Sequence, residues 1–298
     1  MSTSPQAVAV AAPPSPDAPP ARFLPPGIVA RSAQRLTGGT AHPVWRCVLD
    51  DGRAVVVKAS ADAAEGMFAT EAAGLEVLAQ LGGLPTPGVI AVEQHALVLE
   101  ALEPQLPDGD AYWEAAGRAV AGLHAVRCDR HGWAADGWLG LFRQHNAWDT
   151  DGHRFFAEKR VLRYLTEPGV EAALDAADRA GIERLCARLP DLLPDHGAAL
   201  THGDLWRNNL IASLGGGPVF VDPAVSYAWP EIDVAMMFCT GGVPEVFFDA
   251  YAEVRPLDAG WREHARILNL RELLAVLATC GPNPGYVTAV REVVARYV

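Results

Sequence analysis

The sequence predicts an α+β protein of two lobes, a small β-rich N-terminal lobe and a larger, mainly helical C-terminal one. Three observations carry this. Short β-rich runs with strong turn signals occupy the stretch from about Phe23 to Leu99. Helical periodicity takes over from Tyr112 onward. The 298 residues, half of them hydrophobic, suffice for one large domain or two modest lobes around a real core. The division this gives is a leader at 1–22, an N-lobe at 23–101 and a C-lobe at 102–298.

In chain order, the leader is rich in alanine and proline, with Pro13, Pro14, Pro19 and Pro20, and has no basic segment ahead of its short apolar run. It reads as disordered, not as a secretory signal. Gly38-Gly39-Thr40 precedes the first strand, where backbone amides could approach phosphates, although two glycines in a turn are common. Val44 to Leu49 and Ala54 to Lys58 are strands joined at Asp50-Asp51-Gly52, because glycine accepts the positive φ such a turn needs. Ala96 to Leu102 is an apolar strand running toward Pro104 and Pro107, either a lobe connector or an ordinary core strand. Helical stripes follow: Tyr112, Ala116, Ala119, Val120 and Leu123; then Phe155, Phe156, Leu162 and Leu165; then Trp261 to Thr279 as one segment; then a closing helix from Gly285 to Val298.

Composition excludes several classes. No apolar run reaches the roughly 18 to 20 residues of a membrane span. With 24 Lys and Arg against 36 Asp and Glu, the net charge is −12, which argues against a surface built to grip nucleic acid or anionic lipid. Cys47, Cys128, Cys186, Cys239 and Cys280 are scattered and odd in number, so they read as small buried hydrophobes in a reducing cytoplasm. No sequence feature points to an oligomeric state.

The sharpest segment runs from Thr201-His202-Gly203-Asp204-Leu205-Trp206 through Asn209 to Asp222-Pro223. Two apolar runs around a glycine-rich turn predict a β-hairpin, and antiparallel pairing then brings Asn209 beside Asp222, with Asp204 on the loop before. Magnesium takes a few hard oxygen ligands and leaves positions for phosphates. Phosphoryl transfer also wants a carboxylate beside the attacking hydroxyl. Asp204 suits the base; Asn209 and Asp222 suit the metal. For the positive charge a nucleotide needs, Lys58 closes its strand on the face of Val56, and the chain has only one other lysine, Lys159. Glu71 lies on the apolar stripe with Leu75 and Leu78, so a buried carboxylate there wants Lys58 as partner; the alternative is a half-exposed glutamate near a helix start.

These residues in this order resemble the protein-kinase-like fold, and more narrowly the fructosamine kinase (ketosamine-3-kinase) family, over nearly everything after about residue 30. The resemblance rests on His202-Gly203-Asp204-Leu205-Trp206 with Asn209, on Asp222-Pro223-Ala224, on Glu231-Ile232-Asp233, on Trp138-Leu139-Gly140 with Gln144 and Asn146, and on Phe155-Phe156 with Arg160. His-Gly-Asp alone marks the wider group of aminoglycoside and choline kinases. The resemblance implies phosphorylation of a sugar hydroxyl on a fructosamine- or ribulosamine-type ketosamine, using ATP and Mg2+ and promoting deglycation. It implies Asp204 as base and Asn209 and Asp222 as metal ligands. Gly38, Gly39, Thr40 and Lys58 would hold phosphates, with Glu71 as the partner of Lys58 in the nucleotide site; Glu100, Ala101 and Leu102 would line the adenine, and Asp233 and His202 would support the loop. Trp206 would pack on the sugar or serve as a core aromatic.

Three departures from the family pattern stand out. Asn208 replaces a usual glycine, and there a side chain would narrow access to the metal or need left-handed backbone. Pro230 replaces a usual basic residue. The glycine stretch has no cysteine, so no redox switch is carried over. The alternatives are a kinase of the same fold for another small molecule (aminoglycoside, amino sugar or choline-like) and a catalytically silent nucleotide-binding domain.

Overall fold

A computed structural model describes residues 23–36, 42–102, 109–213 and 215–298. The leader at 1–22, the Gly38-Gly39-Thr40 stretch, and Pro104 and Pro107 lie outside the described residues.

The N-lobe is a five-stranded antiparallel sheet, β1 (Ala30–Leu36), β2 (Val44–Leu49), β3 (Ala54–Ala59), β4 (Val89–Glu93) and β5 (Ala96–Glu100), in the order β1-β2-β3-β5-β4, with α1 (Met67–Gln80) between β3 and β4. Side chains alternate across a strand. Trp45, Cys47, Leu49, Val55 and Val57 therefore share one packed face with Phe23, Leu24 and Ile28, while Leu97, Leu99 and Val56 face Phe68, Ala72 and Leu75 of α1. The same alternation turns Lys58, paired with Leu97, toward α1.

The C-lobe begins with α2 (Asp110–Leu123), followed by β6 (Arg127–Cys128) and the hairpin of β7 (Gly137–Leu139) and β8 (Phe142–Gln144). Then come α3 (Gly152–Phe155), α4 (Pro168–Ala173), α5 (Ala176–Ala187) and α6 (Leu189–Leu192). After β9 (Ala198–Thr201), the hairpin of β10 (Leu210–Ala212) and β11 (Pro218–Phe220) and β12 (Ser226–Ala228), five helices finish the chain. These are α7 (Glu231–Thr240), α8 (Glu245–Val254), α9 (Trp261–Leu268), α10 (Leu270–Cys280) and α11 (Pro284–Tyr297). The small sheet β12-β9-β6 and the β10–β11 hairpin sit over the apolar packing of α2 against α8.

The structure corrects the sequence reading at three places. The single stripe through Phe155 and Leu165 is α3 followed by a π-helical turn, Phe156–Val161, and a 3-10 turn, Leu162–Thr166. The wider turn carries Arg160, whose buried guanidinium reaches the His145 carbonyl (2.6 Å), Asn146 Oδ1 (2.7 Å) and Ser226 Oγ (3.1 Å). The expected helix from Trp261 to Thr279 is divided at Asn269, a weaker helix former; the hydrogen-bond ladder continues across it, from Asn269 N–H to Ala265 and from Leu273 N–H to Asn269. Of the cysteines, Cys47 and Cys186 are buried, but Cys280 is exposed, as the last residue of α10. Among the described residues no helix is long and apolar enough to cross a membrane.

One surface cluster gives a pH prediction. His196, before β9, places Nδ1 2.9 Å from Glu231 Oε1 and Nε2 3.1 Å from Asp258 Oδ2. Both ring nitrogens can donate only in the imidazolium form. The Glu231 hydrogen bond and the charges of Glu231 and Asp258 hold its pKa above the usual 6.5, against burial and the nearby Arg255. A raised pKa stabilises the fold fully below about 6.5, and the contribution is lost as pH rises through the folded-state value. Melting curves should therefore show wild type losing stability relative to His196→Gln as pH rises from 6 to 8.5; parallel pH profiles would contradict it.

Candidate active site

The site is built at the junction of the lobes. β9 is buried along its whole length and delivers His202, Gly203 and Asp204 at its end. Asp233, in the first turn of α7, is fully buried; its Oδ2 accepts from His202 N–H (2.7 Å) and its Oδ1 from Gly203 N–H (2.9 Å). His124, at the end of α2, lies 3.2 Å from the same carboxylate and 2.8 Å from the Tyr251 hydroxyl. Burial pushes the Asp233 carboxyl up, but the hydrogen bond and charge of His124 and the other donors outweigh it and keep it below the usual carboxylate range. Gly203 has φ of +80°, and a side chain there would collide with the Ala224 carbonyl. The His202 ring donates from Nε2 to the Val221 carbonyl (3.0 Å) and accepts at Nδ1 from Asp204 N–H (3.3 Å). It thus ties the loop to the hairpin as a neutral imidazole, and burial lowers its pKa accordingly.

The hairpin register is Leu210 opposite Phe220, which sets Asn209 beside Val221 and Asp222 one residue on. Asn209 donates its amide to the Asp204 carbonyl (2.8 Å) and to Asp204 Oδ2 (3.2 Å). That orientation leaves its Oδ1 available to a cation. Asp222 has φ of +58°, the one non-glycine residue in left-handed backbone among those described. Such strain in a side chain holding a carboxylate outward is a feature of functional sites. From the N-lobe, Lys58 Nζ reaches Glu71 Oε1 (2.5 Å) and Asp222 Oδ1. Burial works against the Lys58 charge, but the Asp222 and Glu71 carboxylates overcome it and raise its pKa.

Lys58, Glu71, Asp204, Trp206, Asn209 and Asp222 line one cleft of about 760 Å³, open to solvent. Glu100, Ala101 and Leu102 are not among its lining residues. Glu100 ends β5 opposite Val55, and its Oε2 accepts from Gly88 N–H (3.3 Å). Asn208 is exposed and has ordinary backbone, so neither consequence expected of it applies: it needs no left-handed conformation and does not line the cleft. Pro230 is buried at the start of α7, away from the lining, where its fixed φ suits a helix start. Residues the sequence reading did not assign also line the cleft: His42, Met67 and Thr70 from the N-lobe side, and Trp138, Leu139 and Gly140 on the β7–β8 hairpin. Gln144 anchors that hairpin by donating to the Ala224 carbonyl (3.0 Å).

Burial pushes the Asp204 carboxyl up to about 8; Glu272 adds to this, then Asp222, while Arg271 opposes. Arg271 and Glu272 were also missed. Their signal was present, since they are adjacent charges in an otherwise apolar helical run, Leu270 to Leu277.

A family model described as fructosamine kinase matches residues 25–298. A probable ketoamine kinase of Enterococcus faecium is 31% identical over 254 residues, covering 84% of this chain and 90% of that protein. One of Thermus thermophilus is 36% identical over 228 residues, covering 74% and 78%. The crystal structure of a candidate fructosamine-3-kinase from Thermobifida fusca superposes with a TM-score of 0.80 at 29% identity, covering 91% of this chain and 95% of that one.

Proposed function

The chain belongs to the fructosamine kinase family, and from that premise we propose that its cleft transfers the γ-phosphoryl group of ATP to a sugar hydroxyl of a ketosamine. It is a phosphotransferase with an alcohol group as acceptor. The observation that carries the reading is the convergence in one cleft of Lys58 and Glu71 from the N-lobe with Asp204, Asn209 and Asp222 from the C-lobe. A silent domain has no need of all five.

In this reading Asp204 orients the acceptor hydroxyl and takes its proton, the part a carboxylate plays in phosphoryl transfer. Lys58, steadied by Glu71, holds phosphate oxygens. Asn209 and Asp222 fit a magnesium ion: one free amide oxygen and one carboxylate, with room left for water and phosphates. When bound, that ion would neutralise charge on the phosphates. His202 and Asp233 position the loop. Trp206 and Trp138 supply flat apolar walls of the kind on which the C–H face of a sugar packs. Glu100, Ala101 and Leu102 keep the adenine role through their backbone, and Gly38, Gly39 and Thr40 the phosphate role.

The test is ADP release with ATP and magnesium across a panel of fructosyl- and ribosyl-amines, aminoglycosides and choline. Stimulation by the ketosamines alone is expected. Stimulation by an aminoglycoside or choline in their place would move the substrate class and overturn the reading.

A further inference from the structure

His42 is the one titratable group lining the cleft that the reaction does not yet use. Strand register fixes where it stands. On β3, Val55 pairs with Glu100, at the end given to the adenine. Lys58, about 10 Å further along the strand at the usual rise, pairs with Val44 of β2. The ladder runs on past Lys58, since Ala59 N–H donates to the Pro43 carbonyl (3.3 Å). His42 is the next residue out, so it lies beyond Lys58 as seen from Glu100. Its ring packs against Phe68 of α1, with ring centroids 5.3 Å apart. Thr70 of the same helix is a neighbour of Gly137, on the β7–β8 hairpin whose Trp138 faces the sugar. The imidazole is thereby set at the end of the nucleotide path nearest the acceptor.

We propose that His42 is a ligand of the terminal phosphate of ATP, donating a ring N–H to an oxygen of the γ-phosphoryl group. Its one hydrogen-bonding partner among the described residues is the Met67 thioether, which Nε2 meets. Sulfur is a weak acceptor, so the ring loses little by giving its N–H to an anion instead. Burial, then the Lys58 charge, lowers the His42 pKa against the pull of Asp222, and a neutral imidazole still carries one N–H to donate. Lys58 lies one step nearer Glu100, its ammonium held by Glu71 and Asp222, and is placed for the inner phosphates. The inference rests on the nucleotide part of the kinase reading and adds how the cleft tells a triphosphate from a diphosphate. A contact confined to the γ-phosphoryl group is present with ATP and lost on transfer, so ADP is held less tightly and leaves.

The experiment titrates wild type, His42→Ala and His42→Gln with AMP-PNP, a triphosphate analogue that resists transfer, and with ADP and AMP, all with magnesium, by calorimetry. His42→Ala should weaken AMP-PNP binding by about tenfold or more, the range of a hydrogen bond to a charged group, and leave ADP and AMP within about twofold of wild type. Retained ADP affinity in the same variant shows that the cleft is intact. His42→Gln, which keeps a neutral donor, should hold AMP-PNP more tightly than His42→Ala does. AMP-PNP affinity unchanged in His42→Ala overturns the inference. A loss shared equally by AMP-PNP and ADP overturns it too, because the ring would then serve an inner phosphate; so does an equal loss for all three nucleotides in both variants, which would make the ring only a wall of the cleft. Wild type that binds none of the three overturns the functional reading and this inference with it, so the two failures are told apart.

Discussion

Asp204→Asn should lower kcat by about 10²–10⁴-fold, the usual contribution of a positioned general base, while nucleotide affinity stays close to that of wild type. The asparagine keeps the size of the side chain and cannot take the hydroxyl proton. The loop should stay in place, because Asn209 also donates to the Asp204 backbone carbonyl at 2.8 Å, and Asp233 holds the preceding two N–H groups. The phosphate-holding pair, Lys58 with Glu71, lies on β3 and α1 and is not altered. Steady-state kinetics with a nucleotide titration read both halves. Turnover within a few fold of wild type would remove Asp204 as the base.

Asp233→Ala should be the most destabilising single change at the site. Its carboxylate is fully buried and meets two main-chain donors and His124. Truncation leaves the His202 and Gly203 N–H groups unpaired in the interior, each at about 1–3 kcal/mol, and opens a small cavity beside them. A loss of about 3–5 kcal/mol follows, in the range for breaking a buried hydrogen-bonded charge. For a chain of this length that corresponds to roughly 5–8 °C in Tm. Activity should fall as well, because Gly203 and Asp204 lose the hold that sets the base. A Tm within about 2 °C of wild type would show that the loop is held by other means.

Sequence and structure agree best where a single periodicity decides placement. The β2–β3 hairpin follows from alternating Trp45, Cys47 and Leu49 and from Gly52, whose φ is +86°. The β10–β11 register follows from two short apolar runs and a glycine turn, and with it the meeting of Asn209 and Asp222. Glu71 could be matched to Lys58 because a carboxylate on an apolar helix stripe needs a cation and the chain has only one other lysine, Lys159. The edge strands β1 and β4 were not individually legible, since their side chains are mostly exposed and show no alternation. Neither the π turn at Phe156–Val161 nor the division at Asn269 changes the apolar count of its segment, so a stripe reads through both. The partners of Asp204 beyond the hairpin were hidden for another reason. Glu272 and Arg271 lie far along the chain, and only the packing of α10 brings their charge to the base.

Formation of a phosphorylated ketosamine in this cleft can be read directly. The most direct measurement is 31P NMR of the enzyme with magnesium, ATP and a fructosyl-lysine derivative. A phosphate monoester signal should grow in step with ADP, be absent with Asp204→Asn, and decay later as free amine appears. ADP formation with no such ester, its phosphorus appearing only as inorganic phosphate from the start, would contradict the account and leave the protein a nucleotide hydrolase of the same fold.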